Sequence, residues 1–209
     1  MNKKELVMKC MKWIVVLICL ILVIGILEDV LDKEIHNLDV SGYNFVSKYL
    51  ISDTMTPIVK IITQFGGIVV LVTVAIISLI VIKNKKIGVL ICANLAISAG
   101  LNQILKYIIQ RPRPVEYRII DESGYSFPSG HSMVSAAFYG FLIYLIYKKV
   151  KNKALKYTLI ISLSILILLI GTSRIYLGVH YTSDVIAGIL ISIIYLIIFG
   201  TFGTGSILH

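Results

Sequence analysis

Two residues near the C-terminal end of the chain, His180 and Asp184, have the types and spacing of an activated nucleophile. If a helix begins near Val179, the two lie four residues apart on one helical face. The carboxylate then accepts a hydrogen bond from one imidazole nitrogen and leaves the lone pair of the other free for attack. A helix N-terminus also disfavours the protonated ring. Taken alone, the pair is weak evidence for a nucleophile, because a capping aspartate beside an interfacial histidine explains the same residues.

A second cluster, Pro128-Ser129-Gly130-His131, has the composition of a tight turn that opens a helix. The amides of Ser129, Gly130 and His131 would then point outward from a helix N-terminus, where anions bind. His131 would lie beside such an anion and, as the type of side chain that titrates nearest neutrality, could protonate a leaving oxygen. An ordinary turn with a surface histidine explains the same residues when they are considered alone.

A third cluster supplies cations, since Lys106 is followed by Arg113 after six intervening residues. Pro112 and Pro114 would end a helix here and stiffen the turn. A lysine whose stem reaches along the membrane interface explains Lys106 by itself. These separate explanations do not account for the joint presence of cations, an anion-binding turn and a His–Asp pair. The combination predicts a site for a phosphoryl group.

The elements that must position these residues are membrane spans. Of the 209 residues, 57% are hydrophobic and 15% are charged, against ~25% charged residues in soluble domains. The mean hydropathy is +0.91. The apolar residues form long runs, which excludes a soluble enzyme, a disordered tail and a collagen. Cys10, Cys19 and Cys92 each lie in or beside an apolar run, and their odd number implies no disulfide framework.

Six apolar runs approach the ~20 residues that a helix needs to cross ~30 Å of hydrocarbon. They are residues 11–27, 63–82, 87–109, 132–147, 157–170 and 183–200. Backbone groups in lipid must be hydrogen-bonded internally, and the run 160–170 lacks the alternation of a barrel strand, so we predict helices. The first run ends without the small residues of a cleavage site, which favours a retained span over a signal peptide.

The charge distribution predicts the orientation in the membrane. Twelve lysines, accompanied by Glu5 as the one acid, fall in the N-terminal segment and in the loops after the second and fourth runs. Because positive loops stay on the cytoplasmic side, we expect both termini in the cytoplasm, and the net charge of +9 needs no nucleic acid. The arginines lie outward instead, at Arg111, Arg113, Arg118 and Arg174. Their planar donors match phosphate oxygens two at a time.

The longest outward connection, residues 28–57, is acidic at its start and mixed afterwards. An apolar face in the membrane interface is suggested by Phe45, Val46, Tyr49, Leu50 and Ile51. The segment either guides lipid to the site or serves as a linker, and the sequence leaves both interpretations open.

Together the three clusters resemble the signature of the type 2 phosphatidic acid phosphatase family, which is related to vanadium haloperoxidases and bacterial acid phosphatases. That signature is K-x6-R-P, then P-S-G-H, then S-R-x5-H-x3-D, and this sequence matches it in residue, spacing and order. The matching residues are Lys106, Arg113, Pro114, Pro128, Ser129, Gly130, His131, Ser173, Arg174, His180 and Asp184. The resemblance covers about residues 87–200, and the six-span layout extends it to a single domain, residues 1–209.

The resemblance also implies a role for each residue. His180 is expected to attack phosphorus and form a phosphohistidine, with Asp184 orienting it and His131 protonating the leaving group. The expected phosphate-binding residues are Lys106, Arg113, Ser129, Gly130 and Arg174. No metal and no cofactor is implied. Five charges outside the signature are expected to be solvated loop charges rather than parts of a headgroup pocket, namely Arg111, Glu116, Arg118, Asp121 and Glu122.

The sequence therefore predicts an all-α, polytopic membrane enzyme with six transmembrane helices. Its site is expected at the extracytoplasmic face of a bacterial plasma membrane. The expected partners are the bilayer and a lipid phosphate or diphosphate, with undecaprenyl diphosphate and phosphatidylglycerophosphate ahead of phosphatidate. A lipid phosphotransferase and, with less support, a non-enzymatic transporter stay open as alternatives. The oligomeric state is not indicated.

Overall fold

The computed structural model describes residues 3–32 and 37–203, and within them the chain is helical, without strands. The helices there are α1 (Lys3–Leu31), α2 (Asn37–Tyr49), α3 (Met55–Gln64), α4 (Ile68–Val81), α5 (Lys85–Ile109), α6 (Gly130–Lys149), α7 (Lys153–Tyr176) and α8 (Thr182–Ile198), and a π-helical turn (Phe199–Gly203) continues α8. The predicted all-α fold is confirmed. Residues 1–2 and 204–209, the termini that are predicted to be cytoplasmic, lie outside the described residues.

Within the described ranges, five helices are each long and apolar enough to cross a membrane: α1, α5, α6, α7 and α8 with its π-helical turn. The sixth candidate span is the pair α3 and α4, which is bent by 45°. The run 63–82, which is predicted as one helix, is thus divided between the end of α3 and α4. Gly67 leaves the helical region with φ −76° and ψ 150°. At Gly66, a Cβ would lie 2.6 Å from the Ile170 side chain of α7, so this close approach requires glycine.

The spans are organised around α6, which packs against α5, α7 and α8. Its buried Phe138 and Phe141 contribute to the main apolar core together with Ile170 of α7. The outer faces are apolar as well, since Ile14 and Ile18 of α1 are 54% and 51% exposed. A helix that is apolar on its exposed face is suited to lipid rather than to water.

Small residues hold the start of α6 against the first half of α8, and this contact positions the site. A Cβ on Gly188 of α8 would lie 3.2 Å from the Ser129 carbonyl oxygen and from the Met133 nitrogen. The Ser192 hydroxyl donates to the Met133 carbonyl at 2.6 Å, and the Ser129 amide donates to the Asp184 carbonyl at 3.1 Å. Close backbone approach and interhelical hydrogen bonds are the usual means of joining helices in lipid.

The outward segment 28–57 contains the helix α2, which lies against α7 and α8. Val46 is buried in a core with Ile175 and Tyr176, whereas Phe45 and Tyr49 are 61% and 62% exposed. The predicted apolar face is therefore divided between the protein interior and the exterior. Its role in guiding lipid stays a prediction.

Candidate active site

The motif residues collect at one end of the bundle because successive spans run in opposite directions. At this end α5 and α7 finish, while α6 and α8 begin. Gln110 ends α5 in the left-handed region with φ 52°, and the prolines at 112 and 114 then keep the chain out of helix. Ser129 caps the start of α6. Three clusters that are distant in the sequence therefore meet.

His180 and Asp184 are brought together, although α8 begins at Thr182, so that His180 precedes the helix instead of sharing one of its faces. The imidazole Nδ1 lies 3.4 Å from the Asp184 Oδ2 atom. His180 belongs to the turn before the helix, and Asp184 accepts the Tyr181 backbone N–H at 2.9 Å. This cap folds the chain so that the ring lies over the first turn of α8. The two side chains are almost completely buried.

Asp184 has further partners that the signature does not include. Arg111 Nη1 donates to its Oδ1 atom at 2.6 Å, and the Ser126 hydroxyl donates to its Oδ2 atom. Arg111 Nη2 also donates to Asp39 of α2 at 2.8 Å. The expectation that Arg111 is a solvated loop charge is wrong, since it is only 8% exposed. A carboxylate buried at the mouth of an apolar span needs such partners.

The second nitrogen of His180 faces the cationic side of the site. Nε2 lies 2.9 Å from Arg113 Nη1, and the same Nη1 donates to the Val179 carbonyl at 2.9 Å. Since a guanidinium only donates, we infer that Nε2 carries the lone pair and that Nδ1 carries the proton toward Asp184. Burial lowers the pKa of His180 to about 4, although Asp184 acts in the opposite direction. The ring is therefore neutral and able to attack at neutral pH.

The carboxylate of Glu122 lies between Arg174 and Arg113. Arg174 Nη2 donates to Glu122, Arg113 Nη2 is 4.0 Å from the same carboxylate, and Arg174 Nη1 donates to Thr63 at 2.8 Å. Burial raises the pKa of Glu122, but the positive charge of Arg174 outweighs this effect and holds that pKa below its ordinary value. The expectation of a solvated loop charge is wrong for Glu122 also, whereas Glu116, Arg118 and Asp121 are exposed as expected.

Of the remaining signature residues, Lys106, Gly130 and His131 line the approach to His180, and Ser129 lies behind them. Lys106 Nζ donates to the Tyr125 carbonyl and, at 3.3 Å, to the Ser126 carbonyl. The Ser129 hydroxyl accepts from the Ser132 hydroxyl at 2.9 Å, so here it acts as the helix cap. Gly130 and His131 follow directly in the first turn of α6.

A cavity of about 710 Å³ unites these groups. Its polar end is formed by Lys106, Arg113, Glu122, Gly130, His131 and His180. Its apolar wall comes from α4 and α5 and includes Leu71, Ala75 and Leu95. Asp184 and Ser129 lie behind this surface and act through their neighbours. Within residues 3–32 and 37–203, no group of three or more His, Cys, Asp or Glu side chains is arranged to hold a metal ion.

Sequence reasoning missed the contributions of Asp39, Arg111, Glu122 and Ser126. Arg111 precedes Pro112 just as Arg113 precedes Pro114. This repeated Arg-Pro pair is the one sequence feature that could have indicated a role for Arg111. Glu122 and Asp39 carry no local mark that separates them from exposed acids, because their burial depends on tertiary contacts.

The low pKa of His180 predicts its titration. The ring should stay neutral from pH 8 to about pH 5 and gain a proton only near pH 4. Since the unfolded chain takes up this proton near pH 6.5, the folded state should lose stability as the pH falls below that value. NMR of the protein with isotope-labelled histidine measures the midpoint, and His180→Ala assigns the signal. A midpoint between pH 6 and pH 7 would contradict this account.

Comparison with known proteins finds relatives that are named as phosphatases. Phosphatidylglycerophosphatase B of Bacillus subtilis (strain 168) is 41% identical over 92 residues, which are 42% of this chain and 44% of that protein, so the chain matches less than half of its length. The undecaprenyl-diphosphatase of Sulfolobus acidocaldarius is 26% identical over 189 residues, which cover 86% of this chain and 84% of that one.

Solved structures and the family pattern agree with these relatives. A crystal structure described as the first transmembrane PAP2 type phosphatidylglycerolphosphate phosphatase from Bacillus subtilis has a TM-score of 0.76 at 27% identity, over 93% of this chain and 96% of that one. Aquifex aeolicus LpxE shares the fold, with a TM-score of 0.68 at 23% identity over 81% of this chain and 98% of that one. The PAP2 superfamily pattern matches residues 87–204. The resemblance found in the three motifs is thus confirmed, and the chain belongs to the PAP2 superfamily.

Proposed function

We propose that this protein is a membrane lipid phosphatase that releases the terminal phosphate of a lipid phosphate or diphosphate. The observation that carries the proposal is the cavity in which histidines and cations at one end continue into an apolar groove at the other. The polar end fits a phosphoryl group, and the groove fits a hydrocarbon chain. A lipid phosphate is the class of molecule that has both parts.

The groove is continuous with the lipid-facing surface of the bundle. Ile68 and Ile76 line the cavity and are themselves 73% and 50% exposed. Lipid can therefore enter sideways from the bilayer, with its chain along α4 and α5. The chain then passes from one apolar environment to another, so no apolar surface has to be exposed to water when the phosphate reaches the polar end. A water-soluble phosphate ester would leave this wall unused.

The reaction that fits the geometry has two displacements at phosphorus. In the first, the lone pair of His180 Nε2 forms the N–P bond while the P–O bond to the leaving lipid breaks, and His131 donates a proton to that oxygen. In the second, water attacks the phosphohistidine, His131 accepts its proton, and inorganic phosphate departs as the N–P bond breaks. Asp184 holds the Nδ1 proton of His180 during both steps.

The cations balance the charge on the phosphoryl group. Lys106, Arg113 and Arg174 converge on this end of the structure, and such preorganised donors supply most of the catalysis in phosphoryl transfer. The Nε atom of Arg174 is buried and has no hydrogen-bond partner in the described part of the chain. We propose that the substrate phosphate replaces Glu122 between Arg113 and Arg174, and that the site works without a metal or cofactor.

Two relatives suggest the candidate substrates, because their names refer to phosphatidylglycerophosphate and undecaprenyl diphosphate. A cavity of about 710 Å³ holds the headgroup and the first part of a chain, so it does not choose between them. The lysine distribution supports a site on the extracytoplasmic side of a bacterial plasma membrane. The interactions across the bundle support one domain over residues 1–209.

The function is tested by phosphate release from the detergent-purified protein in EDTA. The substrates are undecaprenyl diphosphate, phosphatidylglycerophosphate and phosphatidate, and the relative kcat/KM values rank them. His180→Ala should abolish turnover, and Asp184→Asn should lower kcat by about 10²- to 10⁴-fold because the ring loses its orienting carboxylate. Asp53→Asn, the same change at an exposed site, should have no effect. Wild-type turnover by His180→Ala would exclude the assigned nucleophile.

Glu122 should behave as an internal competitor of the phosphoryl group. In Glu122→Gln, we expect vanadate and inorganic phosphate to inhibit more tightly by about two- to fivefold, since a partly exposed ion pair contributes about 0.5–1 kcal/mol. Inhibition constants against a lipid phosphate measure the effect. The control is Glu116→Gln, the same substitution at an exposed position in the same loop. Weaker inhibition of Glu122→Gln would show that Glu122 assists anion binding instead.

A further inference from the structure

We propose that Arg111 and Asp39 are positioning residues through which the outward helix α2 orients Asp184 and, by way of Asp184, the nucleophile His180. Neither residue lines the cavity in which the phosphoryl group is expected, and neither belongs to the three motifs. The inference rests on the proposed function, because it concerns the step that His180 performs. It makes α2 a part of the catalytic apparatus rather than a linker.

Arg111 uses both ends of its guanidinium to join two carboxylates. Nη1 lies 2.6 Å from Asp184 Oδ1, and Nη2 lies 2.8 Å from Asp39 Oδ2. The guanidinium carbon lies 4.0 Å from the centre of the Tyr181 ring, which covers the planar group. The Arg111 guanidinium is therefore held in one orientation. Its two ion pairs fix it within its plane, and the Tyr181 ring covers its face.

The other oxygen of Asp184 has three competing donors. Oδ2 accepts from the Tyr181 amide at 2.9 Å and from the Ser126 hydroxyl, while His180 Nδ1 lies at 3.4 Å. The last distance is at the long end for a hydrogen bond. A small rotation of the carboxylate therefore decides whether His180 is held or released. Arg111 opposes that rotation by anchoring Oδ1.

Asp39 balances the charge of Arg111 and ties it to the first turn of α8. Its Oδ1 atom accepts the Ser183 amide at 2.8 Å, and its Oδ2 atom accepts the Ser183 hydroxyl at 3.0 Å. A carboxylate is stabilised at a helix N-terminus. With Asp39 present, the three charges of Asp39, Arg111 and Asp184 leave one net negative charge beside His180. That charge is what stabilises the ring as it becomes cationic on forming the N–P bond.

The close packing of α2 against the start of α8 makes the contact between Asp39 and Ser183 specific. A Cβ on Gly42, one turn after Asp39, would lie 2.1 Å from the Thr182 hydroxyl. Only glycine permits α2 to lie this near to the start of α8. Asp39 is consequently held 3% exposed against the turn that carries His180 and Asp184.

The test separates positioning from simple anchoring by measuring kcat and KM on a lipid phosphate. Asp39→Asn keeps the shape of the side chain and an oxygen for the Ser183 amide, and Arg111→Lys keeps the charge without the fork. For each variant we expect kcat to fall about 10- to 100-fold, the loss typical of a displaced catalytic group, while KM stays within about threefold. Asp53→Asn, an identical change at an exposed site of the same connection, should match the wild type.

A double-mutant cycle completes the test. Because Asp39 acts through Arg111, the double variant Asp39→Asn/Arg111→Lys should be no slower than the slower single variant. Unchanged kcat in Asp39→Asn, with or without a lower melting temperature, would overturn the proposal, and so would multiplicative losses in the double variant. If Arg111→Lys does not fold, the comparison of Asp39→Asn with Asp53→Asn decides alone. A wild type that releases no phosphate from any lipid would instead reject the proposed function.

Discussion

The burial of one carboxylate, Asp184, is the constraint on which the rest of the site depends. An ionised group at the mouth of an apolar span is tolerated only when donors surround it. Those donors come from three separate segments: Arg111 after α5, Ser126 before α6, and the Tyr181 amide with His180 before α8. Satisfying Asp184 thus requires the ends of the spans to meet, and the same contacts deliver a neutral histidine to the cavity.

The two ends of the cavity connect this electrostatic centre to the membrane. The cations Lys106 and Arg113 lie at one end, and α4 and α5 carry apolar residues from there to the exterior of the bundle. The bend between α3 and α4 belongs to the same arrangement, since Gly66 lets α3 pass close to Ile170 and to His131. In the proposed reaction, a lipid presents its phosphate to His180 while its chain stays in an apolar environment.

Sequence patterns predicted the features that depend on local chemistry. Apolar runs revealed the spans, and fixed spacings placed His180 with Asp184 and grouped the other motif residues. Three features could not be read locally. Although the pair Gly66-Gly67 marks a break in the run 63–82, the closeness of this break to Ile170 of α7 depends on a neighbouring helix. The position of His180 before α8, and not in its first turn, follows from a cap that Tyr181 shares with Asp184. The burial of Arg111, with Asp39, arises from contacts between residues 72 positions apart.

The most direct measurement is to trap the covalent intermediate by rapid acid-free quenching of the purified protein with a lipid phosphate radiolabelled in its terminal phosphate. The account predicts a label that is stable in alkali and labile in acid, located on the peptide that contains His180. His180→Ala should carry none, and Asp39→Asn should accumulate it more slowly than Asp53→Asn. Phosphate release at the wild-type rate without any labelled protein, or a label on another residue, would contradict the assignment of His180 as the nucleophile that Asp184 orients.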